Sequence, residues 1–169
     1  MSLYAASVPQ FSKMLTNLEA WLNKAEAHAQ AKKFDPAVLL GSRLAPDQLP
    51  LIRQIQIACD AAKNGSARLS GKQAPSHPDT EQTLEQIRSR IKATVAYLAT
   101  FVEEDFAGAD TRKVNVPGRG QLALGQDHLF EQVLPNFYFH VTTSYAILRH
   151  NGVDLGKADF LGALKLHDA

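Results

Sequence analysis

Apolar residues recur at alternating intervals of four and three near the start of the chain: Tyr4, Val8, Phe11, Leu15, Leu18, Leu22 and Ala25. That spacing holds a stripe on one side of an α-helix and predicts a helix over residues 3–29, packed lengthwise against partners. A seam of this length has to be covered, so the rest of the chain must supply further helices. Pro9 lacks an N–H, which places the start of regular hydrogen bonding near Ser7 or Pro9 itself in the first turn.

Residues 30–49 carry Asp35-Pro36, Gly41 and Pro46 and read as a loop, with a short helical turn at Ala37–Leu40. A second helix is predicted from about Leu51 to Leu69, with Ile52, Ile55, Cys59 and Ala62 inward and Gln54 and Gln56 flanking that stripe. Gly71, Pro75 and Pro78 break the chain. Asp79, three residues before Gln82, resembles a capping box and predicts the start of a third helix. Its stripe is Leu84, Ile87, Ile91, Thr94, Leu98 and Phe101. Glu103-Glu104-Asp105 opposes the helix dipole and predicts a stop close by. Val114 and Val116 alternate with polar residues, Pro117-Gly118-Arg119-Gly120 turns the chain, and Leu122 and Leu124 alternate again. This predicts a small β-hairpin within residues 112–124. An amphipathic turn or two then leads through His128, Leu129 and Val133 to Pro135. The tail, with Phe160, Leu161 and Leu164, is expected to dock on the body.

The fourth long helix is the stretch from Asn136 to His150, preceded by Pro135 and closed by Asn151-Gly152. Phe137, His140, Ser144, Ile147 and Leu148 share one face of it. The face is apolar except at its middle, where His140 sits with Asn136 one turn earlier. Polar groups on a buried face serve a ligand or an internal hydrogen bond, and this face is therefore the candidate site. Four long amphipathic segments predict an all-α, up-down-up-down four-helix bundle, with the hairpin before the last helix and a single domain over residues 1–169.

Composition excludes several classes. The 18 basic and 17 acidic residues leave a net charge of +1, which gives no electrostatic reason to expect nucleic acid. No apolar run approaches the roughly 20 residues needed to span a bilayer, and the first residues lack a basic stretch leading into an apolar one, so neither membrane nor signal peptide is expected. One cysteine, Cys59, forms no internal disulfide and fits a reducing cytoplasm. Serine-triad, phosphate-loop and dinucleotide motifs have no counterpart here.

Pro135-Asn-Phe-Tyr-Phe-His140, Tyr145-Ala-Ile-Leu-Arg-His-Asn-Gly152, Leu155-Gly-Lys157, Asp159-Phe-Leu-Gly162 and Arg53-Gln-Ile-Gln-Ile-Ala-Cys-Asp60 together resemble a bacterial family of unknown function. It belongs to the DinB/YfiT-like superfamily of four-helix bundles, many assigned as metal-dependent enzymes and many dimeric. The resemblance covers nearly the whole chain. It implies a metal site with one histidine from the second helix and a His-x-x-x-His pair from the fourth. His140 falls on the second histidine of that pair, Asn136 on the first, and Gln54 or Gln56 on the second-helix position, Gln56 being closer to the Ile52–Cys59 stripe. Amides at two of three positions suit zinc poorly. The expectation is a polar pocket of His140, Asn136 and Gln56 or Gln54 that binds a small molecule without a cofactor, or a non-catalytic homodimeric interaction protein. The alternative is a metal-dependent enzyme, of transferase or hydrolase type, with zinc or nickel on His140.

Other residues have plain readings beside the sharp ones. Tyr138 and Tyr145 bracket His140 and offer a hydrogen-bond donor to a pocket, or pack with the hydroxyl at an edge. Cys59 is expected to be a small buried hydrophobe rather than a nucleophile. His128 and Glu131 are expected at the surface. Arg149 and His150 suit the last turn of a helix.

Overall fold

The computed structural model describes residues 2–116 and 118–166. The four predicted long helices are present: α1 (Leu3–Lys32), α3 (Leu51–Ser70), α4 (Leu84–Leu98) and α6 (Leu134–His150), with the short α2 (Ala37–Leu40) after the first. The α1 seam is the centre of the core. Phe11, Leu15, Leu18, Leu22 and Ala25 are fully buried, and α4 and α6 flank the same stripe. Ser2 starts α1, its Oγ accepting the Ala5 N–H at 3.2 Å. The cap sets the start at Leu3, so Pro9 lies inside the helix rather than in its first turn. The carbonyl four residues back, that of exposed Ala5, loses its helical donor but remains open to water.

Residue pairs fix the direction of each helix. Glu26 meets Arg88 and Glu19 meets Lys92, so α1 and α4 are antiparallel. Phe11 packs on Phe137 and Trp21 on Tyr145, so α1 and α6 are parallel. Gln54 meets His140 and Gly65 meets Val133, so α3 opposes α6. Asp60 pairs with Arg90, while Lys72 and Gln73, just past the end of α3, reach Phe101 and Tyr97 at the end of α4. α3 and α4 therefore run the same way, and the order is up-down-down-up instead of the expected up-down-up-down. The reason lies in residues 71–83. This proline-containing link can span about 40 Å when extended, more than the about 30 Å length of a 20-residue helix. It carries the chain back along α3 before α4 begins.

The end of that link is pinned by charge. The Arg90 guanidinium lies 2.9 Å from Asp79 Oδ1, 2.9 Å from Glu81 Oε1 and 3.0 Å from Asp60 Oδ1, and Arg53 also pairs with Asp79. With its carboxylate so engaged, Asp79 does not cap α4. Thr83 does, in a reciprocal capping box with Gln86 rather than the predicted Asp79–Gln82 pair.

After a 3₁₀ turn (Glu103–Phe106), strands β1 (Lys113–Val116) and β2 (Gln121–Leu124) pair antiparallel with Lys113 opposite Leu124 and Val116 opposite Gln121. Pro117 of the predicted turn lies outside the described residues; Gly118 and Gly120 both take positive φ, which glycine adopts without penalty. α5 (Gly125–Asp127) leads into a π-helical segment, His128–Val133, and then directly into α6. The last helix thus begins one π segment earlier than Pro135 suggested. Pro135 has no N–H to give, and it follows the point where the ladder reverts from π to α spacing. The tail docks through α7 (Lys157–Leu161): Trp21 Nε1 donates to the Asp159 carbonyl at 3.0 Å, and Phe160 stacks on Trp21. No helix among the described residues is long and apolar enough to cross a membrane.

Candidate functional site

The inner face of α6 is as its periodicity predicts. Phe137, Ser144, Ile147 and Leu148 are fully buried and His140 is 7% exposed. An imidazole there needs a partner, and α3 supplies it: His140 Nδ1 lies 2.6 Å from Gln54 Oε1. Gln54 is held the right way round because its Nε2 donates to the Leu49 carbonyl at 2.9 Å, which leaves Oε1 as the acceptor. The pair therefore assigns the Nδ1–H tautomer to His140 and leaves the Nε2 lone pair free. Burial pushes the imidazole below its ordinary pKa, so it is neutral near pH 7. It is a preoriented acceptor or base, not a cation.

The other expected members of this cluster are elsewhere. Gln56 is buried but two residues from Gln54, on the opposite flank of α3. Its Oε1 accepts from Arg53 at 2.6 Å and its Nε2 donates to Glu81 Oε2 at 2.8 Å, so it belongs to the charged network that holds the return link. The sequence preference for Gln56 over Gln54 is corrected accordingly: both flanks of α3 are covered, one by α6 and the other by the link, and only the fold says which is which. Asn136 is exposed and makes no hydrogen bond to His140. Tyr145 points to another face of α6, where its ring meets Trp21 and Phe160 and its hydroxyl donates to the Leu155 carbonyl at 3.4 Å. It helps seat the tail. Cys59 is fully buried, its thiol pushed up to about 12 by burial, as expected for a packing residue.

Asn136 instead borders a cleft of roughly 220 Å³ between α3 and the π segment, together with Asp60, Asn64, Arg68, His128 and Gln132. His128 was expected at the surface with Glu131, but it is 2% exposed. The π turn shifts the phase of the helix and carries this ring inward, which a 3.6-residue period does not anticipate. Burial first, and the Arg68 cation second, hold its imidazole below the ordinary range against the opposing pull of a hydrogen bond with Gln132. Gly65 lets the π segment approach: a Cβ at that position would lie 2.4 Å from Val133 Cγ1. Sequence reasoning passed over Arg68, Asn64 and Gln132. The four-residue interval from Asn64 to Arg68 was the available signal, a polar pair on one helix face.

The metal set implied by the resemblance does not fit these residues. Among the described residues no three histidine, cysteine, aspartate or glutamate side chains gather where an ion would sit. The one side chain among the described residues that bonds the His140 ring is an amide that already accepts the imidazole N–H, so zinc or nickel would find one good donor.

The fold and site define a small helical-bundle protein with a hydrogen-bonded histidine in its α3–α6 seam. Residues 3–161 match the model of a family described as a domain of unknown function, DUF1993. A crystal structure of a DinB family member protein from Shewanella denitrificans is similar over 99% of this chain and 96% of that one, with 52% identity and a TM-score of 0.95. No curated protein matches. The chain belongs to the DUF1993 family, and its bundle is DinB-like.

Proposed function

We propose that this protein is a binding protein that kept the DinB-like bundle and replaced metal ligation at its seam with hydrogen bonding, recognising a small polar molecule through His140. The observation that carries this reading is the 2.6 Å contact between His140 Nδ1 and Gln54 Oε1. It fixes the ring and its tautomer, and with burial keeping the imidazole neutral, Nε2 is the group left to accept a hydrogen bond from a ligand. One feature favours the metal-dependent alternative: a partner on Nδ1 is also how proteins orient a histidine that ligates through Nε2. The donor set around it argues the other way, because amides and carbonyls are weak partners for zinc.

Self-association, which the resemblance implies, would need a surface other than the α1 and α4 seams, since both are buried within the bundle.

Elemental analysis and chelator melts on wild type and His140→Ala separate the readings. The expected result is no stoichiometric metal, a chelator-insensitive Tm in both proteins, and a loss of about 1–3 kcal/mol in the variant from the orphaned Gln54 and the lost packing. Stoichiometric zinc or nickel that disappears in the variant would establish the metal reading instead.

A further inference from the structure

We propose that the cleft between α3 and the π-helical segment is a binding site for a small organic carboxylate, with Arg68 as its charge partner and His128, Asn64 and Asn136 as hydrogen-bonding groups. The site is distinct from the His140–Gln54 pair and does not rest on the reading given for it.

Three observations converge. His128 borders the cleft and is 2% exposed, and the one side chain in hydrogen-bonding reach of its ring is Gln132, which can serve one of the two ring nitrogens and not both. Gln132 Oε1, four residues on and in the same wall, is also buried and has no well-aligned donor beyond the neighbouring imidazole. Buried polar atoms are nearly always paired, so the ring nitrogen that Gln132 does not serve marks a place where something else completes the bonding. The Arg68 guanidinium, on the facing wall, forms no ion pair or hydrogen bond with any described residue, and burial lowers its pKa. A partly desolvated guanidinium without an anion is the natural counterpart of a carboxylate, which it can hold through two parallel N–H donors.

The rest of the wall decides the ligand's character. Asp60 stands toward the other end, but Lys63 and Arg90 each lie 3.0 Å from its Oδ1 and neutralise it, so it does not repel an anion at Arg68. Ile57, Ala61 and Val133 provide apolar surface between the polar ends. The volume falls below the roughly 300–1,000 Å³ of sites for drug-sized molecules, which points to a ligand the size of a simple metabolite. With Gln132 on one ring nitrogen, the neutral histidine offers the other to the ligand, as an N–H donor to the carboxylate or an acceptor for a hydroxyl or amine on the same molecule. The π turn points the same way: π segments are rare overall and frequent at functional sites, and here the segment is what turns His128 into the cleft.

The test uses benzoate and its neutral isostere benzamide, titrated into the 169-residue protein and followed by NMR on the His128 ring and the Arg68 Nε–H. Benzoate is expected to shift both saturably and benzamide not to. Arg68→Gln is expected to weaken benzoate about tenfold or more, the scale of one lost charge-assisted contact, while Arg68→Lys retains part of it. Gln132→Glu, which places a like charge in the wall, is expected to abolish binding, and circular dichroism on each variant confirms that the bundle is intact. His140→Ala should leave benzoate binding unchanged, which separates this site from the one around His140. Equal binding of benzamide, indifference to Arg68→Gln in a folded variant, or no saturable shift of His128 up to high millimolar benzoate would each overturn the proposal.

Discussion

At the scale of single residues, the seam is organised by what each amide and imidazole can donate or accept. Gln54 uses both ends of its amide, accepting from His140 and donating to the Leu49 carbonyl, and it is 1% exposed. Replacing it by leucine keeps the volume but strands both the His140 N–H and the Leu49 carbonyl. The stranded imidazole N–H is buried and is expected to cost about 1–3 kcal/mol, whereas Leu49 is 44% exposed and its carbonyl can turn to water. Urea unfolding of Gln54→Leu measures this directly. The paired variant Gln54→Leu/His140→Phe should recover part of the loss, because replacing both partners by apolar groups removes the orphaned imidazole N–H. A variant pair with additive losses would mean that the two side chains are not coupled.

Among the elements, the close approach of α3 and the π segment depends on one missing atom. Gly65 lies in the interior of α3, where alanine would ordinarily gain about 1 kcal/mol of helix propensity. At this position the added methyl would sit 2.4 Å from a β-branched, rotationally stiff valine. Overpacking of that kind costs typically 1–3 kcal/mol, so crowding outweighs propensity and Gly65→Ala is expected to be net destabilising. Differential scanning calorimetry should show a lowered Tm, and Gly65→Ala with Val133→Ala should restore it. The same contact holds the cleft in shape, so Gly65→Ala alone should also disturb the His128 resonances.

For the whole molecule, the parallel run of α3 and α4 is secured by the charged network that fastens the return link. Burial alone would raise the Asp79 and Glu81 carboxyls, but Arg53 and Arg90 at Asp79, and Arg90 with backbone and Gln56 N–H donors at Glu81, outweigh it and hold both below their usual ranges. Groups with a depressed folded pKa stabilise the fold above their unfolded pKa and lose that contribution as pH falls through the folded value. His140 and His128 are also depressed, by burial, so their contribution is complete above about pH 6.5 and erodes as pH drops below it. Two stages are therefore expected in urea midpoints measured from pH 8 to 2: a first decline beginning near pH 6.5 from the histidines, and a second below about pH 4 from the carboxylates. His140→Phe should diminish the first stage, and Arg90→Met the second. A midpoint independent of pH between 8 and 5 would contradict the neutral, buried state assigned to the histidines.

Periodicity alone determined where the four long helices lie and which face of α6 is buried, because a 3.6-residue repeat is a local property of the chain. Val114 and Val116 against Leu122 and Leu124 likewise made the hairpin legible, and the lone buried cysteine was readable from its place on the Ile52–Ala62 stripe. Three matters were settled only by tertiary structure. Gln54 and Gln56 lie on opposite flanks of one helix, and both flanks are covered, so no hydrophobicity pattern could say which amide reaches His140. The π segment changes the phase of the helix at His128, so a pattern read at α spacing placed a buried ring at the surface. The direction of α4 depends on Arg90 meeting Asp60, Asp79 and Glu81 across a long link, and such pairings carry no signature in local sequence because the energy that selects them exists only once distant residues are brought together.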